Sequence, residues 1–246
     1  MRQSIANPTA RADIRRWPLD PSIAHLVLLD VYMEPSIDTI NGWIRDAFAS
    51  TDIQRIRTGA LFPAAANAFL GAGFVEADRL ALLERAVHDR VDISIPPGLT
   101  TRRLRTRDLD AAADIDRASF PDGWQHDGAS LEEIATATPQ SRRRFVARSS
   151  GRRTGSHHQT PIGFAITGCA GPTGYLQRLA VHPDARRNGA ARLLVDDALD
   201  WLVRRGAHRA MVNTGIDNQA ALDLYRQAGF DRLNDELVVV DLVRPT

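Results

Sequence analysis

Val181-His182-Pro183-Asp184-Ala185-Arg186-Arg187-Asn188-Gly189-Ala190-Ala191 is the stretch on which the fold turns. An apolar strand, Tyr175 to Val181, stops at a histidine-proline pair, and a loop bearing two arginines follows. From Gly189 the strongest helical pattern of the chain begins. Ala191, Leu194, Val195, Ala198, Trp201 and Leu202 recur at helical spacing, and Gly206 supplies the stop. The first turn of a helix leaves backbone N–H groups unpaired at the positive end of the macrodipole. Amides converging there form an anion cradle, and glycine lets a phosphate approach the backbone closely. Arg186 and Arg187 add charge-assisted hydrogen bonds. The stretch predicts a diphosphate or similar anion; the plainer alternative is a turn ahead of a helix.

On either side of it strands and helices alternate. Leu99 to Thr106 reads as a strand and Arg107 to Phe120 as a helix, with Leu109, Ala112, Ile115 and Phe120 near one face. Ser130 to Thr138 reads as a second, short helix. Arg144 to Ser149 and Pro161 to Ala170 read as strands joined by the polar loop Gly151 to Thr160. Gly171-Pro172-Thr173-Gly174 is a turn. Beyond the long helix come a strand (His208 to Asn213), a helix (Asn218 to Ala228, ended by Gly229) and a last buried strand, Leu237 to Val243. The expectation is an α/β fold on a mixed sheet.

Upstream, Ile95-Pro96-Pro97-Gly98 cannot continue a helix or a central strand and reads as a linker, dividing residues 1–97 from 98–246. The first part carries a weak internal repeat of the second, at an offset of 214 − 58 = 156. Thr58-Gly59 falls on Thr214-Gly215, Ala64-Ala65 on Ala220-Ala221, and Ala72-Gly73-Phe74 on Ala228-Gly229-Phe230, with Phe69 on Tyr225. The elements agree: strand Ala24 to Val31, helix Ile37 to Ala49, strand Ile53 to Thr58, helix Pro63 to Gly71, strand Arg79 to Leu83. Chance likeness of Ala/Gly-rich helices is the alternative.

Composition removes several classes of function. The 246 residues include no lysine, which excludes a Walker-type lysine, a Schiff-base lysine and a lysine nucleophile. A formal net charge of +1 argues against a dedicated nucleic-acid binder, and Arg142-Arg143-Arg144 and Arg152-Arg153 read as solvated charges. The single cysteine, Cys169, fits a reducing, cytoplasmic setting. No stretch is long enough to span a membrane, and the N-terminus shows no signal peptide. The histidines lack ligand spacing, His157-His158 included, so no metal site is expected.

A second segment narrows the ligand. In Asn218-Gln219-Ala220-Ala221-Leu222-Asp223-Leu224-Tyr225, residues Asn218, Ala221, Leu222 and Tyr225 share one helical face. That face carries an amide at one end and a phenol at the other; as an alternative, Tyr225 is an ordinary core residue. Together the two segments resemble the GNAT superfamily of acyl-CoA-dependent N-acyltransferases. The family's (Arg/Gln)-x-x-Gly-x-(Gly/Ala) loop is matched at Arg186, Gly189 and Ala191. Its later Asn-x-x-Ala-x-x-(Leu/Phe)-Tyr-x-x-x-Gly-Phe segment is matched at Asn218, Ala221, Leu224, Tyr225, Gly229 and Phe230. The likeness covers about Leu99 to the C-terminus.

The resemblance implies a mixed central sheet of the GNAT type with helices on both faces, preceded by a truncated, degenerate, non-catalytic copy in residues 1–97. It implies acetyl-CoA as co-substrate. Backbone groups of Leu179, Ala180 and Val181 would bind the pantetheine arm, and one N–H would polarise the thioester carbonyl. Arg186, Arg187, Asn188, Gly189, Ala190, Ala191 and Arg192 would hold the pyrophosphate. Asn218 would contact the cofactor, and Tyr225 would act as general acid toward the leaving thiolate. The acceptor would be a primary amine, on a small molecule or a protein N-terminus, with a homodimer left open.

Many relatives carry a carboxylate near the strand Tyr175 to Val181, and this chain has none there. Asp116, Asp122, Asp127, Glu132 and Glu133 are the candidates for a base, and none is singled out. Ser119-Phe120-Pro121 with Trp124 resembles a segment of the family's ribosomal-protein N-terminal acetyltransferases that small-molecule acetyltransferases also carry. The first copy lacks an Arg-x-x-Gly cradle between Val31 and Ile37, and Phe69 has no phenolic proton, so no cofactor is expected there. A module that binds acyl-CoA as a sensor or partner-binding unit, without catalysis, is the competing expectation.

Overall fold

The computed structural model describes residues 10–29, 33–148 and 161–245. In chain order these give β1 (Ala12–Trp17), β2 (Asp20–Leu28), α1 (Ile37–Phe48), β3 (Arg55–Thr58), α2 (Pro63–Gly71) and β4 (Val75–Ala86). There follow β5 (Leu99–Arg103), α3 (Leu109–Ser119), α4 (Gly128–Thr136), β6 (Gln140–Arg148), β7 (Pro161–Ala170) and β8 (Thr173–Val181). The chain closes with α5 (Ala190–Arg204), β9 (Arg209–Gly215), α6 (Gln219–Gln227) and β10 (Asp231–Val243). This is the mixed α/β architecture expected from the sequence. The strand β1 was not foreseen, because its Arg-rich sequence ADIRRW alternates only at Ala12 and Ile14 before the register shifts between Arg16 and Trp17. The loop Gly151 to Thr160, with His157, His158, Arg152 and Arg153, lies outside the described residues.

Two compact units form. The first takes residues up to Ala81 together with Gly215–Asp217 and Asn234 onward; the second is Leu82–Thr214 with Asn218–Leu233. The proline linker at 95–98 therefore lies inside the second unit, and the chain divides within β4 and again within β10. Proline punctuation marks where a strand cannot continue; compactness is decided by which strands pair, and local sequence does not report that.

In the first unit β1 is antiparallel to β2, β2 parallel to β3, and β3 antiparallel to the end of β10 through Ile56↔Leu242 and its neighbours. Ser36 caps α1 by accepting from the Thr39 amide at 3.2 Å. Leu26, Ile40, Ile56 and Phe69 are fully buried at its centre. In the second unit β5, β6, β7 and β8 form an antiparallel meander, and β8 runs parallel to β9. Alternation along the strands sends Phe145, Phe164 and Ile166 to α3 and α4, and Val146, Ala165 and Val181 to α5. Beside β9 sits β4, whose Leu82 and Leu83 are buried.

The offset seen in the sequence runs through the structure. Adding 156 to the bounds of α2 (Pro63–Gly71) gives those of α6 (Gln219–Gln227). In both helices the aromatic residue accepts from the amide five residues on: Phe74 to Phe69 at 3.2 Å, and Phe230 to Tyr225 at 2.9 Å. Both pairs stack edge to face, at 5.1 and 5.7 Å. Gly73 and Gly229 both take positive φ, +94° and +80°, to close the turn.

A chain that begins at Leu99 lacks β4, leaving the edge of β9 and the pocket of Leu82 and Leu83 open. It is expected to lose the cooperative thermal transition of the full chain, read by circular dichroism.

Candidate active site

Two successive main-chain arrangements prepare the site, both in the second unit. Pairing of β8 with β9 stops after Thr173↔Arg209, Gly174↔Ala210 and Tyr175↔Met211, although β8 continues to Val181 and β9 to Gly215. The strands part, and among the described residues one edge of β8 from Leu176 to Val181 has no neighbouring strand. Exposed peptide groups along such an edge are ready partners for an extended ligand. Leu179, Ala180 and Val181, the residues expected to bind pantetheine, all lie on it. The Val181 carbonyl already accepts from Ser119 Oγ at 3.2 Å and Arg186 Nε at 3.4 Å.

Beyond Val181 the loop ahead of α5 contains two left-handed residues, Arg187 at φ +63° and Gly189 at φ +86°, a backbone pattern found in anion-binding turns. The Ala190 amide is capped by Asn188 Oδ1 at 3.1 Å. The amides of Arg187, Asn188, Gly189, Ala191 and Arg192 have no acceptor among the described residues, five donors at the start of a long helix. A Cβ on Gly189 would meet Pro96 Cγ at 2.8 Å, so glycine is required there by backbone conformation and by the linker packed against it.

The expected side chains divide by role. Arg187 is exposed. Arg192 is committed to Asp196 at 2.8 and 2.9 Å and to the Gln227 carbonyl at 3.0 Å, which ties α5 to the end of α6. Asn218 is the cap of α6, accepting from the Ala221 amide at 3.2 Å and donating to Thr214 Oγ1 at 3.1 Å. Tyr225 is buried, at 6% exposure, and burial pushes its phenol up to about 12 while the Arg178 charge draws it down. It is therefore a protonated donor throughout the neutral range.

Sequence reasoning missed the polar pair at the centre of β8. A bulge between Ile166↔Arg178 and Thr167↔Leu176 leaves Gln177 as the extra residue. It turns Gln177 and Arg178 together toward the α3 and α4 face. Arg178 is held by Asp116 at 2.7 and 2.8 Å and by the Trp124 carbonyl at 2.7 Å, and lies 3.5 Å from the Phe120 ring centroid. Asp116 also accepts from the His126 amide at 2.8 Å and is fully buried. The available signal was an arginine inside an apolar strand, which demands a buried partner. Gln177 Oε1 is sealed from solvent without a donor.

The other carboxylates considered as a base are also accounted for. Asp122 accepts from Gln125 Nε2 at 3.1 Å, Asp127 caps α4 through the Ser130 amide at 2.8 Å, Glu132 pairs with Arg143, and Glu133 is exposed. Among the described residues no group of three or more His, Cys, Asp or Glu side chains could hold a metal ion, and no helix is long and apolar enough to cross a membrane.

Free amides at a helix start, an open strand edge and a buried phenol define an α/β protein that can hold a phosphate-bearing ligand beside a proton donor. The model of the acetyltransferase (GNAT) family matches residues 109–230. Mycothiol acetyltransferase of Thermobispora bispora is 28% identical over 179 residues, 69% of this chain and 59% of that protein, so the chain spans less than two thirds of its length. The ribosomal protein bS18-alanine N-acetyltransferase of Escherichia coli strain K12 is 33% identical over 105 residues, 41% of this chain and 70% of that one. In fold, the chain is similar to a tandem GNAT protein from the clavulanic acid biosynthesis pathway, with a TM-score of 0.66 and 12% identity over 92% of this chain and 76% of that one. The chain belongs to the GNAT acetyltransferase family, whose members take acetyl-CoA as co-substrate.

The raised Tyr225 pKa has a stability consequence with a definite sign. The folded state keeps its proton to about pH 12, while the unfolded phenol releases it near its ordinary value of 10. The contribution is complete below pH 10 and is lost as pH rises through 12. Denaturant titrations between pH 9 and 12 should show wild type losing about 2–3 kcal/mol more than Tyr225→Phe.

Proposed function

We propose that this protein is an acetyl-CoA-dependent N-acetyltransferase in which a primary amine attacks the thioester directly in a ternary complex. The observation that carries the reading is the set of five amides, of Arg187, Asn188, Gly189, Ala191 and Arg192, that are unpaired among the described residues around two left-handed residues. Such a cradle suits a pyrophosphate, with the exposed Arg187 adding charge. Arg186, Asn188, Gly189, Ala190 and Ala191 shape the loop, while Arg192 and Asn218 brace α5 and α6. The open edge of β8 at Leu179, Ala180 and Val181 suits the amides of a pantetheine arm. One of its N–H groups polarises the acyl carbonyl. Tyr225, protonated at neutral pH, donates to the sulfur as the C–S bond breaks.

The acceptor nitrogen must arrive neutral. With the nearby carboxylates engaged, its proton leaves to water. The acceptor belongs to the amines that the relatives' names span, small molecules and protein N-termini. Residues 98–246 carry the catalytic machinery, with β4 completing their sheet. The first copy is non-catalytic, since Phe69 stands where Tyr225 would. A cytoplasmic location fits the lone buried Cys169.

The engaged carboxylates favour one further reading, a module that binds acyl-CoA without turning it over. Release of free thiol from acetyl-CoA over an amine panel separates the two: binding with no release on any amine supports the module.

Tyr225→Phe should slow transfer by roughly 10²–10⁴ with the acetyl-CoA Kd unchanged. Gly189→Ala should do the reverse, raising that Kd by roughly tenfold or more through strain at φ +86°. Steady-state kinetics and calorimetry on the two variants check both.

A further inference from the structure

Arg178 is more completely held than any other cation near the parted strands, and one part of it is left over. Its Nε and Nη2 are spent on Asp116 and the Trp124 carbonyl. Its Nη1 makes no hydrogen bond among the described residues, yet it is not among the buried atoms sealed off without a partner. The side chain as a whole is 9% exposed. A guanidinium fixed by a bidentate carboxylate, a carbonyl and a stacked ring has almost no freedom, so the direction of its remaining N–H groups is set in advance. The bulge at Gln177 aims this group to the α3 and α4 side of β8, beside the edge that β9 leaves open. Its charge also draws down the Tyr225 phenol, the proton donor of the proposed reaction.

We infer that Arg178 Nη1 is a specificity-determining donor that binds a neutral carbonyl oxygen on the acceptor, so that the acceptor is an α-amino amide rather than a plain alkylamine. This rests on the acetyltransferase reading above. The charge of Arg178 is already matched by Asp116 at 2.7–2.8 Å. A carboxylate on the acceptor would bring a second anion to one cation, whereas an amide oxygen accepts the N–H without that repulsion. The donor is rigid and desolvated, so an acceptor lacking the oxygen leaves it unmatched, the arrangement that gives the steepest discrimination.

The test uses the full chain with acetyl-CoA and two probes, alaninamide and isopropylamine, in wild type and Arg178→Lys. Lysine keeps a cation for Asp116, but its three N–H groups cannot meet both carboxylate oxygens and the Trp124 carbonyl and still present a separate donor. Turnover is read by thiol release and acetyl-CoA binding by calorimetry. In R178K, kcat/KM for alaninamide should fall roughly tenfold to a hundredfold. That for isopropylamine should change by less than about threefold, with acetyl-CoA binding intact. The ratio between the variants cancels the different basicities of the two amines.

Equal losses on both amines would assign Arg178 to the acyl group and overturn the inference, as would an unchanged preference. Acetyl-CoA bound but neither amine acetylated by wild type would also overturn it. Failure of wild type to bind acetyl-CoA would remove the acetyltransferase reading itself, and this inference with it. If R178K does not fold, the double variant Asp116→Asn with Arg178→Met removes both charges together, and the same two ratios decide.

Discussion

The parting of β8 from β9 is the constraint on which the rest of the second unit depends. Parallel neighbours normally satisfy each other's peptide groups, and here they do so only as far as Tyr175 and Met211. Everything beyond is an open edge, and an open edge is costly or hazardous unless something covers it. Among the described residues no strand fills that place. The chain offers the cradle where β8 ends, the start of α5, and Tyr225 on α6, which reads as accommodation for a long ligand with an anionic end. The bulge at Gln177 works in the same region, bending β8 and turning two polar side chains to one face.

Holding the strands apart requires anchors elsewhere, and the ion pairs supply them. Arg178 and Asp116 join β8 to α3 and to the loop that follows it. Arg142 and Asp197 join β6 to α5, with Arg144 drawn to the same carboxylate. Burial lowers the Arg144 pKa, showing how far this cluster is withdrawn from water. Such pairs add little net stability against an apolar alternative, but they fix geometry because leaving either partner alone is expensive. Arginine suits the purpose, since one planar group can meet two oxygens and a ring face together.

At the offset of 156 residues α2 and α6 are alike in helix bounds, closing glycine, edge-to-face aromatic pair and amide bond. They differ in chemistry: a phenyl ring at Phe69, a phenol at Tyr225. The closing strands are distributed unexpectedly, the end of β10 joining the first unit and the end of β4 the second. Neither half of the sequence therefore corresponds to a compact unit.

The sequence by itself determined most of the elements, the glycine-bearing helix start after β8 and the place of the phenol on α6. Periodicity placed α2, α5 and α6 to within a residue or two, because amphipathic spacing and glycine stops are local properties. The loop from Arg186 to Ala191 was legible because helix starts bind anions by backbone geometry that glycine signals directly. The sequence offered Asn218 and Arg192 as candidates, while the cap of α6 and the ion pair to Asp196 needed neighbours that only the fold supplies. The pairing of Arg178 with Asp116 and the division of the chain into compact units were decided by tertiary structure. Each depends on contacts between residues far apart in sequence: a buried charge must find its partner wherever the sheet brings one, and a strand belongs to the unit whose edge it pairs with.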